Sequence, residues 1–217
     1  SSAASDVYKR QDKERPCTSF AVTSAKPSEG KSLTAANIAI SYAMLGKKVL
    51  LIDADMRKPT QRRLWRVEKP TGLCDFLAKI SKLELDKVKD LPLWIVCTGT
   101  IPPNPSELLS SERMKHFVEE SAKVYDYIII DTPPINTVAD AQIVSTYVDG
   151  VVLVVKSGDT TEDELNEAID AVRRAGGNLC GTVLNDLNIK SVKYAYKYKY
   201  GGKYGYKYSY SESYEAR

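Results

Sequence analysis

Two stretches of the chain, Leu50-Leu51-Ile52-Asp53-Ala54-Asp55-Met56-Arg57 and Ile128-Ile129-Ile130-Asp131-Thr132-Pro133-Pro134, run apolar without a break and then end in carboxylates. A strand of that kind has no polar face, so it must be buried on both sides, as in a parallel sheet covered by helices. The rest of the pattern agrees. From residue 18 to 185, short β-rich runs alternate with helical stretches, which predicts βαβ units. Strands are expected at 19–23, 49–53, 94–98, 127–131, 151–156 and 179–185. Between them, segment 31–45 places Leu33, Ala36, Ile40, Ala43 and Met44 at spacings near three and four and stops at Gly46. A second helix opens with a capping box, Thr161 with Glu164, and stops at Gly176 and Gly177. Pro102, Pro103 and Pro105 keep 101–106 extended ahead of a helix starting near Ser106 or Ser110.

The first strand runs straight into the first helix through Thr23-Ser24-Ala25-Lys26-Pro27-Ser28-Glu29-Gly30-Lys31-Ser32. A strand, a short loop and a helix start bring backbone N–H groups and the positive helix end onto one anion, with a lysine for the β and γ phosphates and a hydroxyl for magnesium. The loop departs from the usual G-x-x-x-x-G-K-[ST] pattern at its first glycine, which is Ala25. The nucleotide site is therefore expected at Ala25, Lys26, Pro27, Ser28, Glu29, Gly30, Lys31, Ser32 and Leu33. Asp53 and Asp55 alternate by two and share a side just past the end of a buried strand, and Asp131 does the same on another strand. Ligands of open α/β sheets bind at that edge, and a carboxylate there typically holds a metal. The fold expected is α/β, P-loop NTPase-like, with a mostly parallel central sheet and helices on both faces.

The 217 residues suit one domain, and no apolar run approaches the roughly 20 residues that span a bilayer. The opening lacks the apolar centre of a secretory signal, so a cytoplasmic location is expected. Cys17, Cys74, Cys97 and Cys180 show no paired spacing and are expected to be reduced, mostly buried and without a role. Residues 1–11 fit neither a strand nor an amphipathic helix and read as a non-native leader; 12–189 form the nucleotide domain. From Lys190 the chain is built on Lys, Tyr, Gly and Ser, with seven basic and two acidic residues, whereas the net charge of the whole is only +3. That segment, 190–217, is expected to be a flexible tail. It holds nine of the fourteen tyrosines: Tyr194, Tyr196, Tyr198, Tyr200, Tyr204, Tyr206, Tyr208, Tyr210 and Tyr214.

Taken together, these residues resemble the bacterial tyrosine kinases (BY-kinases) of capsule and exopolysaccharide systems. That family carries a modified Walker A loop, a Walker A′ strand ending in D-x-D-x-R, a Walker B strand and a C-terminal tyrosine cluster. The resemblance extends to Pro103-Asn104-Pro105-Ser106-Glu107-Leu108-Leu109, the Asp140 region and the strand end at Asn185. It implies ATP and Mg2+ as cofactors, with Lys31 and the loop amides on the triphosphate and Ser32, Asp55 and Asp131 as the metal set. Asp53 then stands where the family places the acceptor of the tyrosine proton. Aspartate and tyrosine titrate about 6 units apart, roughly 8 kcal/mol, so the proton is expected to move late in a loose transition state. The tyrosine cluster becomes a set of autophosphorylation sites. A 28-residue coil spans about 30 Å, which allows transfer in trans within a homo-oligomer. Further implied partners are a transmembrane polysaccharide co-polymerase activator, which recruits the kinase to the inner face of the plasma membrane, and a cognate phosphatase. The family's E-x-x-R-x-x-R assembly helix has no counterpart here.

Some readings stay open at the level of sequence. Arg57 pairs with a phosphate or with Asp55. Lys26 is a solvated loop lysine or the second lysine of partition ATPases, and Asn185 reads the adenine edge or is a turn residue. His116 is assigned no chemistry. Two alternatives to the kinase are a partition- or septum-type switch ATPase without protein kinase activity, and an ATPase whose Lys/Tyr tail binds nucleic acid through charge and stacking; no specific nucleic-acid partner is expected.

Overall fold

All six predicted strands are present, and they line up in one seven-stranded sheet of order β3-β4-β2-β5-β1-β6-β7. The structure, a computed structural model, describes residues 17–187; residues 1–16 and the tyrosine-rich segment lie outside the described residues. The strands are β1 Ser19–Ser24, β2 Val49–Asp53, β3 Asp86–Lys87, β4 Leu93–Val96, β5 Tyr127–Asp131, β6 Gly150–Lys156 and β7 Leu179–Asn185. Every pairing is parallel except β3 with β4. The helices are α1 Lys31–Met44, α2 Gln61–Trp65, α3 Leu73–Leu77, α4 Pro105–Ser110, α5 Glu112–Ser121, α6 Asp140–Ser145 and α7 Glu162–Arg174. Among the described residues no helix is long and apolar enough to cross a membrane.

The uninterrupted apolar strands do what their composition demands. Leu50 and Ile52 of β2, with Ile128 and Ile130 of β5, face a core completed by Met114, Val118, Ala141, Val144, Ala168 and Val172 from α5, α6 and α7. Their neighbours Val49, Leu51 and Ile129 face the opposite core, against Ala35, Ala36, Ala39 and Ala43 of α1. The four alanines let α1 sit close to the sheet. Each fully buried Leu or Ile contributes about 1.5–3 kcal/mol relative to exposure, so these two strands are the stable centre on which the site is mounted.

The capping box at α7 is present: Thr161 N–H donates to Glu164 Oε2 at 2.8 Å, and Glu164 N–H to Thr161 Oγ1 at 3.3 Å. Several elements differ from expectation. The prolines feed α4 with Pro105 at its start, and Ser111 leaves helical geometry and caps α5 by accepting from Met114 N–H. One predicted helix is therefore two. The short helices α2, α3 and α6 and the two-residue β3 were not expected, because five or six residues do not complete the periodic pattern on which a helix prediction rests. The cysteines divide: Cys74 and Cys97 are buried, whereas Cys17 is half-buried and Cys180 exposed. Cys180 lies on the edge strand β7, which presents much of its length to solvent. His116 is exposed, with Nε2 4.0 Å from Glu120.

Candidate nucleotide and phosphotransfer site

The loop leaving β1 curls through two left-handed residues, Ser28 (φ 68°) and Gly30 (φ 89°), and delivers Lys31 and Ser32 at the start of α1. Gly30 is demanded twice over: a Cβ there would lie 2.1 Å from Asn185 Nδ2, and its backbone is in the region L-residues avoid. Ala25, in the place of the first glycine, is wholly buried. Glu29 is also buried; its carboxylate accepts from Lys26 N–H at 2.9 Å and from the Thr160 hydroxyl, which shapes the loop from inside. Pro27, Ser28, Gly30, Lys31, Ser32, Leu33, Asp55 and Arg57 line a cavity of about 470 Å³.

At its floor Lys31, 8% exposed, donates to Asp55 Oδ2 at 2.7 Å and to Ser32 Oγ at 3.1 Å, and stands 3.6 Å from Asp131 Oδ1. Burial works to discharge this ammonium, but Asp131 and Asp55 outweigh it and hold its pKa above the usual lysine value. Asp53 and Asp131 are directly paired in register at the ends of β2 and β5 and are wholly buried. Burial pushes the Asp53 carboxyl up to about 8, with the Asp131 charge adding to it and the Gln61 N–H opposing. Burial raises Asp131 as well, against the pull of Lys31. Burial thus favours the neutral form of both carboxyls, and a nearby positive charge favours the ionised form.

Lys31, Ser32, Asp53, Asp55 and Asp131 thus converge on one sheet edge. The oxygens Asp53 Oδ1 and Asp131 Oδ1 are buried and accept no hydrogen bond within the described residues. Asp131 Oδ1, with the Ser32 hydroxyl and Asp55, offers hard oxygen donors of the kind magnesium takes, and the loop N–H groups with Lys31 have the chemistry that phosphates require. Among the described residues no three acidic, thiol or imidazole groups could hold a metal by themselves.

Other assignments change. Of the side chains offered to Arg57 it is Asp140 and not Asp55 that pairs with it: its Nε donates to Asp140 Oδ2 at 2.8 Å, because Asp140 is buried beside it and needs a cation. Lys26 is not a free solvated lysine: Nζ lies 3.1 Å from Glu164 Oε2 and 3.5 Å from Asp159 Oδ2, drawn by the acidic start of α7. Asn185 Nδ2 donates to the Glu29 carbonyl at 3.0 Å, so the amide's contact is with the phosphate loop. Gln61 escaped the sequence reading altogether. Its backbone N–H donates to Asp53 Oδ2 at 2.9 Å, and its Nε2 to Asp131 Oδ2 at 2.8 Å and to the Ser32 carbonyl at 2.9 Å. A lone glutamine eight residues past a strand end carries no signal of that role.

Residues 18–178 match the model of an AAA domain family. Tyrosine-protein kinase YwqD of Bacillus subtilis is 44% identical over 186 residues, 84% of this chain and 78% of that protein. The solved kinase domain of the Escherichia coli tyrosine kinase ETK superposes with a TM-score of 0.78 at 30% identity, covering 96% of this chain and 77% of that one. MinD from Pyrococcus horikoshii, solved with Mg-ADP, superposes at 0.68 and 20% identity over 79% of this chain and 71% of that one, a likeness of fold alone. With an AAA-type P-loop domain and this level of identity, the chain belongs to the bacterial tyrosine-protein kinase family.

Proposed function

We propose that the chain transfers the γ-phosphoryl group of ATP to the tyrosines of its own C-terminal cluster, in trans between copies. Tyr194, Tyr196, Tyr198, Tyr200, Tyr204, Tyr206, Tyr208, Tyr210 and Tyr214 are the acceptors. The observation that carries this reading is the meeting of Lys31 with Asp55 and Asp131 over a buried Asp53 at one sheet edge. In the transfer, a tyrosine oxygen attacks the γ-phosphorus while the bond from that phosphorus to the β–γ bridging oxygen breaks, and ADP leaves with the electron pair. The phenol proton passes late to Asp53, which first orients the hydroxyl and takes the proton in its ionised form, the form that the neighbouring Lys31 charge favours. Lys31 and the loop between Ala25 and Ser32 hold the triphosphate, through the N–H groups left over once Pro27 offers none and Lys26 N–H is taken by Glu29. Ser32, Asp55 and Asp131 would hold Mg2+, which neutralises phosphate charge when bound. Gln61 keeps Asp53 and Asp131 in place.

Each added phosphate brings about −1.5 to −2 charges, so nine would turn the basic segment strongly negative and drive neighbouring copies apart. That is the switch through which the kinase regulates capsular or exopolysaccharide synthesis, with a transmembrane co-polymerase as activator and membrane recruiter and a phosphatase as its reset. Mass spectrometry of the chain after incubation with ATP and magnesium tests the reading. Phosphates on the cluster in the parent, and none with Lys31→Met or Asp53→Asn, support it; an unmodified parent refutes it.

A further inference from the structure

Three residues around the site are tied together without a part in the reaction so far. Arg57 follows β2, Ser106 lies in the first turn of α4 within the proline-rich motif, and Asp140 opens α6. The Asp140 carboxylate is wholly buried and both its oxygens are engaged. Oδ2 accepts from Arg57 Nε at 2.8 Å; Oδ1 accepts from Arg57 Nη2 at 3.2 Å and from Ser106 Oγ at 2.5 Å. Arg57 Nη2 also lies 3.3 Å from Ser106 Oγ.

A two-point fork of this kind sets the plane of the guanidinium as well as its place. It uses Nε and Nη2 and leaves Nη1 with no partner among the described residues. As a stability device the arrangement is poor, since burying a carboxylate costs several kcal/mol and its partner is half in water. The Arg57 side chain is 41% exposed, yet it lines the same cavity as Lys31, Ser32 and Asp55. Lys31 is buried at the floor of that cavity, and the more exposed Arg57 stands toward its mouth.

We propose that Arg57 contacts the phosphoryl group on its acceptor side, Nη1 donating to a non-bridging oxygen as the group reaches the tyrosine. Asp140 and Ser106 are the positioning residues that aim it. The inference rests on the kinase reading. Arg57 stays protonated throughout, so it adds no proton or electron to the balance of the transfer; it answers the charge that a loose transition state spreads over the equatorial oxygens.

The test uses the full chain, a fluorescent ATP analogue for nucleotide affinity, and a synthetic peptide of residues 203–210 as acceptor. Removing one such donor is expected to cost Arg57→Ala about 100-fold in phosphotyrosine formation, with nucleotide affinity kept within about threefold. Added guanidinium chloride below its denaturing range restores part of that rate. Asp140→Asn and Ser106→Ala lose about 10-fold, with a higher KM for the peptide and an unchanged KM for ATP. Nucleotide affinity falling in step with transfer, no recovery by guanidinium, or undiminished transfer in Arg57→Ala would each overturn the proposal. A parent that makes no phosphotyrosine at all would instead overturn the kinase reading beneath it.

Discussion

The carboxamide of Asn185 donates to the Glu29 carbonyl at 3.0 Å and so ties the last strand of the sheet to the phosphate loop, at the point where Gly30 has no room for a side chain. Asn185→Ala removes one hydrogen bond, about 1 kcal/mol, and is expected to weaken ATP binding about fivefold. Gly30→Ala adds both a clash and a strained backbone, and should cost about 100-fold. In the double variant the clash partner is gone, so part of the Gly30→Ala loss returns. Equilibrium titration with a fluorescent ATP analogue measures all three; strictly additive losses would show that the two residues do not act on each other.

Gln61 offers a second check. Gln61→Leu keeps the bulk but leaves Asp131 Oδ2 and the Ser32 carbonyl without their shared donor. A loss of about 1–3 kcal/mol of stability and about 10-fold in phosphotransfer is expected, because the backbone N–H to Asp53 remains. Gln61→Glu sets a carboxylate against two buried carboxyls and should be worse on both counts. Thermal unfolding and phosphotyrosine formation on the same preparations decide it.

The parts of this architecture legible in the sequence are those with a long-range pattern. Leu50 to Ile52 and Ile128 to Ile130 announce doubly buried strands, and Gly30-Lys31-Ser32 between a strand and a helix announces the loop. Thr161 and Glu164 write their own helix start. What escaped depends on contacts between distant residues. Asp140 reaches Arg57 across 83 positions and Gln61 reaches Asp131 across 70, and no local spacing encodes either meeting. No local signal ties Lys26 to its partners Glu164 and Asp159, which lie more than 130 positions away, so both readings of that lysine stay open in the sequence.

A pH-dependent stability is expected at the entry to β1. Asp149 Oδ2 accepts from the N–H and hydroxyl groups of both Thr18 and Ser19 at 2.8–3.1 Å. Partial burial works to raise its pKa, but these four donors outweigh it and hold the carboxyl below its usual value. A depressed folded pKa stabilises the protein above the unfolded value near 3.9, and that contribution is lost as pH falls through the folded value. Asp149→Asn should cost about 1 kcal/mol at pH 7, discounted for its exposure, and progressively less as pH falls from the unfolded value through the folded one. Urea unfolding of parent and variant from pH 7 into acid gives the comparison, and a gap that does not narrow as pH falls below the unfolded value would contradict it.

Cys74, Cys97 and Cys180 should react in two classes. Burial pushes the Cys74 and Cys97 thiols up to about 12, so both are inert in the folded chain. Cys180 is exposed on an edge strand. Brief treatment with iodoacetamide is expected to label Cys180 while Cys74 and Cys97 are labelled only after denaturation; peptide mapping reads the order, and early labelling of Cys97 would contradict the burial assigned to it.

The central claim is that the carboxylates closing β2 and β5 serve a nucleotide whose phosphate ends on tyrosine. The most direct measurement is the ratio of phosphotyrosine formed to ADP released in the first turnovers with γ-labelled ATP and magnesium. A ratio close to one that collapses in Asp53→Asn is the result predicted; ADP appearing with free phosphate and no labelled tyrosine would contradict it.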